Sequence, residues 1–98
     1  ARELKTNPDG TPWIAAEFTA LGNLLRDSGK YQAAMERYQR ALAIWTRCFK
    51  GDHPRIATIN ISIGNILTYL GREEESVRMQ EDALAMLGKL VDIYKGKA

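Results

Sequence analysis

Apolar residues recur along this chain at steps of three and four, in runs separated by short polar breaks. Tyr31, Ala34, Met35, Tyr38, Ala41, Leu42 and Trp45 form one face of a helix expected over about 30–49. Ahead of it, Leu21, Leu24 and Leu25 give an apolar stripe to a helix over about 12–27. Thr11 is a good cap for that helix, and Pro12 suits its first position, where a missing N–H costs nothing. Ile59, Ile61 and Ile63 alternate as a strand would, but Ile56, Ile59, Ile63, Ile66, Leu67 and Leu70 keep the helical period, so a third helix is expected over about 54–70. A fourth begins after Gly71, with Glu73, Glu74 and Glu75 where the helix dipole favours negative charge, and should reach about Tyr94. Its apolar residues fall on two stripes: Val77, Leu84, Leu87, Val91 and Tyr94, and Met79, Ala83, Met86, Leu90 and Ile93. One can pack on the third helix, which leaves the other exposed and open to self-association.

The breaks are turn chemistry. Ser28-Gly29-Lys30 and Gly51-Asp52-His53-Pro54 each hold a glycine, which reaches positive φ cheaply at a helix end. Asn7-Pro8-Asp9-Gly10 is a further turn. Sliding the chain by forty-two residues lays Gly22 on Gly64, Asn23 on Asn65, Leu25 on Leu67, Gly29 on Gly71 and Ala41-Leu42-Ala43 on Ala83-Leu84-Ala85. A fixed period in this range is the signature of a stacked helical array. Phe18, Leu21, Gly22, Leu25, Gly29, Tyr31, Ala34, Tyr38 and Ala41 fill the positions of the tetratricopeptide repeat, which this stretch resembles. Asn60, Ile63, Gly64, Leu67, Gly71, Glu73, Ser76, Gln80 and Ala83 repeat the pattern with aromatics replaced at Asn60, Glu73 and Gln80. The period and the Gly51–Pro54 link resemble the long-repeat branch of kinesin light chains and nephrocystin-like proteins.

The resemblance implies an all-α fold, with two antiparallel helix pairs stacked as an α-solenoid in a right-handed superhelix. Residues 11–52 would be one repeat and 53–98 a second with an extended last helix, while 1–10 would end a preceding repeat. The chain does not begin with Met and reads as a fragment of a longer repeat protein.

Composition narrows the chemistry. A net charge of +2 is too small to argue for nucleic acid or an anionic membrane. No run approaches a membrane span, and no targeting segment is visible. The lone Cys48 excludes an internal disulfide and reads as a structural thiol; the cytoplasm is the expected location. His53 is the only histidine and suits a helix start better than a ligand or base. Gly22–Lys30 echoes a phosphate loop but has too many residues between its glycines and Tyr31 where Ser or Thr is needed. No catalytic residue, metal or cofactor is expected.

What remains is a groove. In such arrays the first helices of successive repeats line the concave wall. Thr19, Asn23 and Arg26 on one helix, and Ser62, Asn65 and Tyr69 on the other, are the candidate contacts for a protein or peptide partner. Amides can pair with an extended backbone, and Arg26 can hold a carboxylate. Family members bind peptides at the Asn23 and Asn65 positions. The alternative is a structural module that self-associates through exposed apolar helix faces.

Overall fold

The computed structural model describes residues 11–97. The segment expected to end a preceding repeat, residues 1–10, lies outside them, as does Ala98. Four helices follow one another: α1 (Pro12–Asp27), α2 (Tyr31–Cys48), α3 (Pro54–Tyr69) and α4 (Glu73–Lys97). Each packs on its sequence neighbours, so the described chain is all-α and stacks as a helical-repeat solenoid. α2 begins one residue later than expected, and α4 extends past Tyr94 to Lys97.

Local chemistry sets the ends. Thr11 Oγ1 accepts from the Ile14 amide at 3.3 Å, and His53 Nδ1 accepts from the Arg55 amide at 3.1 Å. Each cap precedes a proline that opens its helix. α1 and α3 finish alike: the amides of Lys30 and Arg72 reach back to the carbonyls of Leu25 and Leu67, both at 2.8 Å. Gly29 and Gly71 lie between, at φ 79° and 80°, the conformation this closure demands.

The core joins α2 and α3, with Tyr38, Ile59 and Ile66 the largest fully buried side chains. Within each hairpin a side chain of the second helix lies directly on a glycine of the first. A Cβ on Gly22 would sit 2.7 Å from the Tyr38 ring, and one on Gly64 would sit 2.8 Å from Gln80 Cγ. The small residues of the repeated motif therefore lie where helices nearly touch.

The leucine stripe expected in α1 is corrected at two of its three residues; Leu25 packs against the core. Leu24 is 65% exposed and Leu21 39%. The contact face of α1 runs through Ala15 and Gly22; at about 100° per residue Leu24 falls on the far side and Leu21 on the flank. Cys48 is also exposed, so it packs nothing as a structural thiol would. On α4 the expected division holds in part: Ala83 is buried, Met79 and Met86 pack against the core, and Val77, Leu84, Val91 and Tyr94 are exposed, but Ile93 of the packed stripe is exposed too and Leu87 of the other is half-buried.

Candidate functional site

α1 and α3 carry Asn23 and Asn65 at equivalent places, forty-two positions apart. Both amides are tied to the second helix of their own hairpin. The Tyr38 hydroxyl donates to Asn23 Oδ1 at 2.5 Å, and Gln80 Nε2 donates to Asn65 Oδ1 at 3.1 Å.

The direction of each bond follows from its neighbours. Arg26 can only donate, and its Nη1 lies 3.5 Å from the Tyr38 oxygen. That oxygen therefore accepts from Arg26 and donates onward to Asn23. In the second hairpin Ser76 Oγ donates to the Gly64 carbonyl at 2.7 Å. Thr68 Oγ1 shares that carbonyl at 3.3 Å and lies 2.6 Å from Ser76 Oγ, which, its own proton given to Gly64, accepts from Gln80 Nε2 at 3.5 Å. Gln80 thus turns its nitrogen toward Asn65. Two different relays leave both asparagines with Oδ1 engaged and the amide nitrogen available to donate.

Charge collects beside this pair. Arg26 bonds Asp27 through Nε and Nη2, both at 3.1 Å. Asp27 and Tyr38 hold the guanidinium more firmly charged than usual. Burial raises the Tyr38 phenol above its ordinary value; Arg26 pulls it down, Asp27 adds to the rise, and a hydrogen bond from Ser62 opposes it.

Five of the six residues expected from the sequence come together here. Asn23 and Arg26 meet at the Tyr38 hydroxyl, and Ser62 is near enough to act on that phenol. Arg26, Asn65 and Tyr69 line, with Thr68, one depression of about 430 Å³. Tyr69 is exposed on one face of its ring and stacks the other on Tyr31, with centroids 4.5 Å apart and planes 3° from parallel. Thr19 lies apart. Its hydroxyl bonds its own helix at Ala15, and it lines a separate cleft of about 320 Å³ with Ala16, Trp45, His53, Arg55 and Thr58.

Sequence reasoning missed Tyr38 and Gln80 as the groups that orient the two asparagines. A signal existed: Asn23 to Tyr38 and Asn65 to Gln80 are each fifteen residues apart, a spacing the repeat preserves. It also missed the Trp45 cleft, where the Arg55 guanidinium lies over the indole ring at 5.5 Å. Among the described residues no group of three or more His, Cys, Asp or Glu could hold a metal ion, and no helix is long and apolar enough to cross a membrane.

Paired antiparallel helices, repeated at a fixed period and meeting at glycines, define a helical-repeat protein. A family model of the tetratricopeptide repeat matches residues 14–89, well over half of the chain, and the chain belongs to that family. A search of curated proteins found no match. Tetratricopeptide repeats generally mediate protein–protein interaction and are generally non-catalytic modules.

Proposed function

We propose that this chain binds an extended segment or surface of a protein partner along the face made by α1 and α3. Residues 11–52 and 53–98 act as two repeat units, each contributing one asparagine. The observation that carries this reading is the common polarity of Asn23 and Asn65: two unlike relays both leave an amide nitrogen to donate. Such a pair suits the carbonyl oxygens of an extended peptide. Arg26, Asn65 and Tyr69 add a charged donor and a ring face at one end of the groove, and Ser62 extends it, while Thr19 offers a second contact in the cleft beside Trp45.

The test starts from peptides selected against the chain from a randomised display library. Asn23→Ala with Asn65→Ala is expected to weaken their binding about tenfold or more, each lost hydrogen bond being worth roughly 1 kcal/mol. Helical circular dichroism serves as the control. Unaltered affinity in a folded double variant rejects the groove.

A second reading has its own observation. Val77, Leu84, Val91 and Tyr94 form an exposed apolar stripe along α4, and such a stripe supports self-association.

A further inference from the structure

The exposed stripe of α4 has a period and a charge pattern that specify its occupant. The exposed Val77, Leu84, Val91 and Tyr94 and the half-buried Leu87 follow at intervals of seven, three, four and three, as in the seam of a two-helix coiled coil. The core contact uses the adjoining side of the helix, through Ser76, Met79, Ala83 and Met86, and takes Gln80, which stands at the seam's intervening position, toward α3. α4 is also 25 residues long against 16 for α3, so its last turns run beyond the helix it packs on. The charges divide along its length. Five acids between Glu73 and Asp82 surround the single Arg78, whereas beyond Met86 the basic Lys89 and Lys95 stand with Asp92.

Resting on the self-association reading, we propose that α4 pairs antiparallel with α4 of a second copy of this chain, about a two-fold axis between Ala85 and Met86. That register sets Leu84 opposite Leu87 of the second copy and Val77 opposite Tyr94 of the second copy. Each acidic half then meets a basic half; a parallel pair would set acid against acid. A shallow depression of about 480 Å³ around Val77, lined by Glu73, Glu74, Arg78 and Glu81, receives the 78% exposed Tyr94 of the other copy. Lys95 of that copy then lies against Glu74.

Sedimentation equilibrium on the full chain, at concentrations up to about 1 mM because the interface is small, tests this. Wild type is expected to dimerise, and Leu84→Asp to remain monomeric with unchanged helicity. Lys95→Glu is expected to weaken the dimer about tenfold, since two symmetric pairs become repulsive. Adding Glu74→Lys to it restores the wild-type constant to within about threefold. A wild-type chain that stays monomeric overturns both the register and the self-association reading, and leaves the stripe to a further helix of a longer array. A dimer that Leu84→Asp disrupts but the charge exchange does not restore overturns the antiparallel register alone.

Discussion

The two hairpins solve one packing problem with different chemistry. In the first, α1 and α2 close over Gly22, and the gap is filled by the rigid ring of Tyr38, which is fully buried. In the second, α3 and α4 close over Gly64, and the filler is Gln80, a flexible amide backed by the hydroxyls of Ser76 and Thr68. Both fillers end on the asparagine next to the glycine. The backbone approach and the asparagine's orientation are what the repeat retains. The aromatic residue is one way of achieving them, and a polar relay is another.

The difference should be largest on truncation. Tyr38→Ala empties a buried site and is expected to cost about 3–5 kcal/mol. Gln80→Ala, at a half-buried site, should cost about 1 kcal/mol. Urea denaturation of the two variants checks this, and equal losses would mean that the ring is not what holds the first hairpin. Next come the glycines. Gly22→Ala forces a methyl against ring carbons that cannot bend away, at a cost of roughly 1–3 kcal/mol. Gly64→Ala meets a side chain that can change rotamer, and the helix-propensity gain of about 1 kcal/mol offsets most of that strain. The melting temperature should therefore fall clearly for the first and hardly move for the second.

A smaller effect separates the hairpins by pH. The Tyr38 phenol is raised in the folded chain, so the native state holds its proton more tightly than the unfolded one. Its contribution is complete below the ordinary phenol value and is lost as pH rises from there through the raised value. Tyr38→Phe should flatten this alkaline decline in a pH series of denaturation curves, while Gln80→Leu should leave it. The smallest effect belongs to the second hairpin. Arg72 bonds Glu75 at 2.6 Å on the surface and holds its carboxyl below the usual range. That contribution is present above the ordinary carboxylate value and fades as pH falls through the lowered one. Added salt should erase it, which Arg72→Gln denaturation at two ionic strengths would show.

Much of this was legible in the chain. Thr11-Pro12 and His53-Pro54 fix two helix starts by local capping, and Gly29 and Gly71 fix two ends, because these depend on near neighbours alone. The asparagines were legible as a repeated pair. Their inward hydrogen bonds were not, since the repeat pattern marks position 38 only as an aromatic and Gln80 only as a departure from it. Leu21 and Leu24 misled for a related reason: periodicity shows that a helix has an apolar face, but not which helix covers it. Thr19 shares a helix with Arg26 and yet opens onto another cleft, because two turns along α1 the facing residues change from Asn65 and Tyr69 to Trp45 and Thr58.

The stacked pair of Tyr31 and Tyr69 bridges the start of α2 and the end of α3. One side of the Tyr69 ring is held by its neighbour, while the opposite side looks outward. The host has already lost the rotational freedom of that ring before any guest arrives. A proline or aromatic side chain landing on it would meet a surface already set in place, so less of its contact energy is spent on ordering and more appears as residence time.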